Sequence, residues 1–272
     1  MKTNEKIGQA EFLITKEYRR FVEFCEACRR YRYIGMCYGI PGVGKTISAR
    51  QYAHSDVQEY FAANLTEDDP PSEMKNCRTI VYTPTVSNTP KQIDQDLAKL
   101  RYELKYIVRN ANRTEEAQLS DSWHSPQDCT ELIIVDEADR LRLHGLEQLR
   151  DICDRGRIGL VLIGMPGLEK RLSRHAQLYS RIGFAHEYKP LSREEMLFIL
   201  QHKWRELGLS LQPDDFADME AVSAIIRVTQ GNFRLVQRLF MQIERVLKIN
   251  ELTVITKEVV ETARENLVIG IT

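Results

Sequence analysis

The chain has 272 residues, 43% hydrophobic and 28% charged, the balance of a core-forming globular protein rather than a disordered one. Its 38 Lys and Arg nearly cancel 39 Asp and Glu, leaving a net charge of −1, so no overall basic excess draws it to nucleic acid. Any such contact has to come from a local patch or from several subunits acting together. The longest uncharged runs, such as Tyr33 to Gly44, fall far short of the ~20 residues of a membrane span, and the N-terminus has no apolar signal core. A cytoplasmic chain with reduced cysteines is therefore expected.

Residues 11–31 read as a helix with Phe12, Phe21, Phe24 and Cys28 on its apolar side and Arg19, Arg20, Arg29 and Arg30 on its wet side. Cys25 and Cys28 form a CxxC within it. No second CxxC or paired His follows at ligand spacing, which favours packed thiols over zinc. A first strand, Tyr33 to Tyr38, leads into a Gly-rich turn and a helix from Lys45 to Phe61. A second strand spans Thr79 to Pro84, a helix Pro90 to Asn110, and a long polar loop residues 111–130. The third strand, Leu132 to Val135, is uniformly apolar, as a buried central strand should be. A helix over Gly145 to Cys153 and strands at Ile158 to Ile163 and Gly183 to Tyr188 complete this part. After Pro190 strand signals stop. Helices are expected at Ser192 to Leu207, where Ser192 and Glu195 make a capping box, then Phe216 to Val228, Phe233 to Ile249 and Lys257 to Asn266. The expected organisation is a helical lead-in (1–31), a parallel α/β core (32–190) and a helical lid (191–272).

Gly39 to Thr46, GIPGVGKT, fits G-x-x-x-x-G-K-[ST], with a strand before it and a helix after it. Gly39, Pro41, Gly42, Val43 and Gly44 would turn backbone N–H groups around phosphates. Lys45 would neutralise the β- and γ-phosphates, Thr46 would ligate Mg²⁺, and Ile47 is a further expected ATP-binding position. The chain is thus expected to bind ATP with Mg²⁺. Leu132 to Asp139, LIIVDEAD, ends a buried strand in two carboxylates. Asp136 would hold Mg²⁺ and Glu137 would polarise the attacking water.

This layout resembles the AAA+ ATPases over nearly the whole chain: a five-stranded αβα core carrying both motifs and a helical lid. The resemblance implies two further roles. Arg181, after Ser180 and before the last strand, falls where the family places an arginine finger that reaches the neighbouring subunit. Arg234, in Gly231-Asn232-Phe233-Arg234, falls at the family's sensor-two position in the lid. One departure stands out. At the end of the fourth strand, where the family usually carries a polar sensor-one side chain, the sequence has Met165, which hydrogen-bonds only weakly. Slow, switch-like hydrolysis is the expectation.

Within that family the chain resembles the transposition ATPases of the TnsC, TniB and MuB type. The likeness lies in the compact size, the short lead-in to the phosphate loop, LIIVDEADRL followed by LRDICD and GLVLIG, and the insert between the second and third strands. It implies an ATP-dependent regulator that forms a homo-oligomeric ring or filament on double-stranded DNA, nucleoid-associated when active. Such a regulator links a target-selecting protein to a transposase. A helicase-loader or replication-initiator ATPase, and a scaffold that binds ATP with little turnover, stay open as alternatives. The residues add one pointer to DNA. Lys99, Arg101, Lys105, Arg109 and Arg113 face only Glu103 in sign, and residues 114–131 hold five carboxylates and no Lys or Arg. Arg101, Lys105, Arg109 and Arg113 are the expected DNA contacts, with Arg140 and Arg142 as weaker candidates.

Overall fold

The computed structural model describes residues 12–63, 70–112 and 128–267. Five strands, β1 (Ile34–Tyr38), β2 (Thr79–Tyr82), β3 (Leu132–Val135), β4 (Gly159–Gly164) and β5 (Ile182–Glu187), form one sheet in the order β2-β3-β4-β1-β5. All four pairings are parallel. Parallel neighbours need crossovers, which is why a helix or a long connection follows each of β1 to β4. β3 and β4 are buried along their whole length, so their runs are apolar on both faces.

Side-chain alternation sorts these strands into two cores. Ile133, Val135, Leu160 and Leu162 pack with Leu97, Leu104 and Ile107 of α4 (Pro90–Ala111) and Leu146, Leu149 and Ile152 of α5 (Leu143–Gly156). Leu132, Ile134, Val161 and Ile163 point the other way. They meet Phe21, Phe24, Cys25 and Cys28 of α1 (Lys16–Tyr31) and Ala49 of α2 (Lys45–Tyr52). The CxxC is therefore core. Burial raises the Cys25 thiol well above its ordinary value and pushes Cys28 up to about 12.

Several boundaries differ from the sequence reading. α1 begins at Lys16, not at residue 11. The helix expected from Lys45 to Phe61 is two, α2 and α3 (Ser55–Ala63), because His54 takes a left-handed φ of +51° between them. Two short helices, α6 (Leu168–Leu172) and α7 (Ala176–Tyr179), fill the stretch before β5. Residues 113–127 of the expected loop lie outside the described residues.

The chain divides into two compact units, Arg20–Pro190 and Met1–Arg19 with Leu191–Thr272. The helix expected as a separate lead-in is thus shared between them. The second unit contains α8 (Arg193–Glu206), α9 (Phe216–Thr229), α10 (Phe233–Ile249) and α11 (Lys257–Glu265). The Ser192 hydroxyl accepts from Glu195 N–H (3.3 Å), and Glu195 accepts from Ser192 N–H (3.0 Å), closing the capping box. The other Glu195 oxygen accepts from Glu17 N–H at 3.0 Å. Trp204, 1% exposed, packs edge-on against Phe240 at 5.5 Å and anchors this unit's own core.

Candidate functional site

The parallel sheet puts the ends of β1, β3 and β4 on one edge, where open α/β sheets bind ligands. Gly39 to Gly44 leave β1 there. Gly42 and Gly44 have φ of +84° and +115°, a conformation in which successive backbone N–H groups converge on an anion. Lys45 opens α2 and its ammonium donates to the carbonyls of Gly39 (2.5 Å) and Ile40 (3.0 Å), so it curls over the loop. Val43 is buried beneath, while Pro41, Thr46 and Ile47 are exposed.

Tyr188, just past β5, braces this loop from below, a role the sequence reading missed. Its N–H donates to the Tyr38 carbonyl at 2.7 Å, and its hydroxyl pairs with Ser48 Oγ at 2.7 Å. A Cβ on Gly39 would meet the Tyr188 carbonyl oxygen at 2.3 Å, so only glycine fits there. A lone Tyr after an edge strand carries no sequence signal for this.

Asp136 follows β3 and is 5% exposed. Its Oδ1 accepts from Glu137 N–H at 2.9 Å, which fixes the carboxylate at the strand end. No cluster of three metal-ligating side chains occurs among the described residues. Mg²⁺ is commonly held by one or two carboxylates plus substrate phosphates and water rather than by an all-protein cage. The buried carboxylate of Asp136 and the exposed hydroxyl of Thr46 would be the donors from this chain. Glu137 sits at φ +52°, a left-handed conformation uncommon outside glycine, and its side chain is 49% exposed. Its carboxylate pairs with the Arg140 guanidinium. Asp139, the last acid of the motif, has no free role at a metal. Its Oδ2 accepts the Met165 N–H at 2.7 Å, and its carbonyl accepts from Arg171 Nη1 at 2.7 Å. Met165 follows β4 directly and is 42% exposed, so the position that the resemblance assigns to sensor one carries a thioether.

Arg181 immediately precedes β5, on the opposite edge of the sheet from the phosphate loop. Its carbonyl accepts from Ile34 N–H at 3.2 Å, and its guanidinium pairs with Asp154 at 3.2 Å while 57% exposed. Arg234 is exposed in the first turn of α10, where Asn232 caps the helix by accepting from Leu235 N–H at 3.2 Å. It belongs to the helical unit.

The basic stripe of α4 is thinner than its sequence suggests. Arg101 is tied to Asp128 by a paired guanidinium–carboxylate contact. Burial raises the Asp128 carboxyl, but the Thr130 N–H and Arg101 outweigh it and hold the group below the ordinary range. Arg101 is thus neutralised by the segment thought to be segregated from it. Lys105 is half-buried and Arg109 exposed, on a face that also exposes Tyr102 and Tyr106. Arg113 lies outside the described residues.

Residues 28–172 match the AAA domain family. A "Potential ATP-binding protein" of Staphylococcus aureus is 46% identical over 96% of this chain and 97% of its own length. The "ATP-dependent target DNA activator B" of Escherichia phage Mu is 32% identical over 55% of the chain, and the "Mu-like prophage FluMu DNA transposition protein B" of Haemophilus influenzae is 25% identical over 67%. The matches span 42% and 58% of those two proteins. The RuvB Holliday junction branch migration motor of Thermotoga maritima superposes with a TM-score of 0.58, covering 93% of this chain and 70% of its own at 17% identity. The Aeropyrum pernix ORC1 protein, solved in complex with DNA, gives 0.56 over 94% of this chain and 66% of its own at 18% identity; at such identities both show the fold alone. The chain therefore belongs to the AAA domain family: it is an ATP-binding AAA+ ATPase with homologues among the Mu transposition B proteins.

Proposed function

We propose that this ATPase is a nucleotide-controlled regulator of DNA transposition, which assembles head to tail on double-stranded DNA and connects a target-selecting protein to a transposase. In this reading Lys45 and the loop N–H groups bind the phosphates of ATP. Asp136 and Thr46 hold Mg²⁺, which when bound offsets charge on the phosphate oxygens. Glu137 accepts the proton of the attacking water. Arg181 of one subunit serves the nucleotide of the next, and Arg234 keeps the sensor-two role that the family resemblance implies. Met165, with no strong donor to offer, keeps turnover slow.

The observation that carries the assembly is the position of Arg181. β1 has five residues, so the start of the sheet lies about 16 Å from the phosphate loop at ~3.3 Å per residue. An arginine beside the start of β1 is out of reach of its own nucleotide, so a finger role there demands a second subunit. Such a contact joins two different faces, and repeated it yields a ring or a helical filament. The transposition role rests on what the two Mu-type relatives are described as doing. DNA contact is supported by Lys105 and Arg109, repeated once per subunit along a duplex.

Electron microscopy of the protein with duplex DNA and a slowly hydrolysed ATP analogue tests the reading. Rings or filaments on DNA only with the analogue are the expected outcome. Monomers that bind duplex tightly without nucleotide would exclude it.

A further inference from the structure

We infer that the rings of Tyr31, Tyr33 and Phe184, with the Arg30 and Arg32 guanidinium groups beside them, form a stacking platform for the bases of single-stranded nucleic acid. The platform lies at the starts of β1 and β5, uses no residue of the nucleotide site and needs neither ATP nor assembly. It therefore stands apart from the transposition reading.

The local sequence Arg29-Arg30-Tyr31-Arg32-Tyr33 alternates cations with aromatic rings where α1 passes into β1. Arg32 turns the chain there at φ +58°, a conformation uncommon outside glycine, and its guanidinium donates to the Glu131 carbonyl at 2.7 Å. The turn brings the two tyrosines together. Their ring centres lie 6.4 Å apart, the planes inclined by only 25°, and the residues are 55% and 50% exposed. β5 is shaped to complete the group. Ile34 pairs with Ile182 and Gly35 with Phe184, so Gly183 is an extra residue bulged out of the ladder. Such a bulge re-aims neighbouring side chains. The Phe184 ring centre comes within 6.1 Å of Tyr31 and 5.8 Å of Tyr33. A Cβ on Gly183 would meet the Tyr33 ring at 2.6 Å, so the glycine also makes room for that ring.

The charge beside the rings is basic. The exposed Arg30 guanidinium lies 5.6 Å from the centre of the Tyr31 ring and makes no ion pair among the described residues. Arg29 and Arg32 share Glu131, and Arg29 also meets Glu26, which leaves three cations against two carboxylates. Arg181 takes no part. It pairs with Asp154 of α5, whose core residues pack on the other face of the sheet. From Lys16 to Tyr38 no Leu, Ile, Val or Met is exposed, so the patch offers rings and guanidinium groups without the aliphatic surface that would seat an apolar helix. Its complement is a flat π-system carried on an anionic backbone. Every base has a π-face on which an aromatic side chain can stack, and arginine adds a cation–π contact. In a duplex those faces are already stacked on one another, so an unpaired strand is the form of nucleic acid that fits.

The test is fluorescence anisotropy of a labelled oligothymidylate of about 20 nucleotides, longer than one site of this kind, with the full chain and no ATP. An abasic oligomer of equal length, a duplex and free thymidine monophosphate are measured beside it. The variants are Tyr31→Leu/Tyr33→Leu, Tyr31→Phe/Tyr33→Phe and Arg30→Gln. The wild type is expected to prefer the thymidylate strand to the abasic one by about tenfold or more, the scale of one or two stacked bases. The leucine pair should lose that preference and the phenylalanine pair keep it. Arg30→Gln should flatten the slope of log affinity against log salt by about 0.7, the single-strand value for one phosphate. No binding of the strand, equal binding of the abasic oligomer, or an undiminished preference in the leucine pair would overturn the inference. So would a duplex that binds as well as the single strand and weakens equally in the leucine pair. A leucine pair altered only in its assembly, followed by light scattering, would make the patch a contact between proteins and overturn it too. Thymidine monophosphate competing as well per nucleotide as the strand would replace the strand by a free nucleotide. If the leucine pair does not fold, photocrosslinking of the wild type to an iodouracil-substituted strand decides the point. Adducts at Tyr31, Tyr33 or Phe184 support the platform, and adducts confined to other residues overturn it.

Discussion

Lys45 bonds to two carbonyls of its own loop, neutral acceptors that a triphosphate outcompetes because its oxygens are charged. Hydrogen bonds to charged groups contribute about 1.5–3 kcal/mol each, so losing two such bonds in Lys45→Ala should weaken ATP binding by at least about 100-fold. A fluorescent ATP analogue titrated against the variant measures this; affinity within tenfold of wild type would remove Lys45 from phosphate binding. Glu137→Gln should bind ATP normally yet hydrolyse it about 10²-fold or more slowly, since an amide cannot take a proton from water. Gly39→Ala should fail differently. The added methyl group would press on the Tyr188 carbonyl, so both thermal stability and ATP affinity should drop, and a variant melting like wild type would deny the brace. At this scale the sequence showed the groups whose spacing is local: Lys45, Thr46, Asp136 and Glu137 fall within two short motifs. It did not show Tyr188 beneath the loop or Asp139 under Met165. Those contacts join residues 26 to 140 positions apart, and no local pattern records them.

Among the elements, α4 shows how far periodicity reaches. The stripe Leu97, Leu104, Ile107 and Val108 packs against the sheet as its spacing requires, which leaves Arg101, Lys105 and Arg109 toward the outside. Periodicity says which face a cation occupies and nothing about what sits opposite. Arg101 found Asp128, 27 residues on. Strand positions were legible to within a residue or two because runs such as LIIV are buried on both faces, whereas the break at His54 and the short helices α6 and α7 have no such repeat. The charges now make divergent predictions. Lys105→Ala with Arg109→Ala should flatten the slope of log affinity for duplex against log salt by about one unit per lost contact. Arg101→Ala should leave that slope alone and instead lower stability by about 1 kcal/mol or less, the scale of a partly exposed pair. Fluorescence anisotropy at several salt concentrations separates the two. A flattened slope in Arg101→Ala would return it to the interface, and an unchanged slope in the double variant would move the interface to Arg140 and Arg142.

Across the whole molecule, a parallel sheet has two unlike edges. Strands end at one, where the phosphate loop, Asp136 and Met165 gather. Helices such as α1 and α5 end at the other, where their dipoles are negative and arginines are well placed. Arg32, Arg78, Arg157 and Arg181 all lie just before strands on that second edge, so an arginine there needs no catalytic explanation by itself. The contact of Arg181 is lighter than that of Arg32. Arg32 is held by Glu131 on one side chain and one carbonyl, whereas Arg181 meets a single exposed carboxylate, Asp154. An exposed pair of this kind contributes about 0.2–1 kcal/mol, little enough for a γ-phosphate of the next subunit to displace it. If so, catalysis is shared between chains, and two defects in different chains can complement. Arg181→Ala subunits keep a working base but lack the finger, while Glu137→Gln subunits keep the finger but lack the base. Each alone should hydrolyse ATP at a small fraction of the wild-type rate. Mixed in equal amounts, about one interface in four should join an intact base to an intact finger, because the head-to-tail contact samples both partners independently. The recovered rate should rise and fall with the mixing ratio, highest near equality, and assembly followed by light scattering should be unchanged throughout. If assembly persists and no ratio restores turnover, Arg181 does not act across subunits.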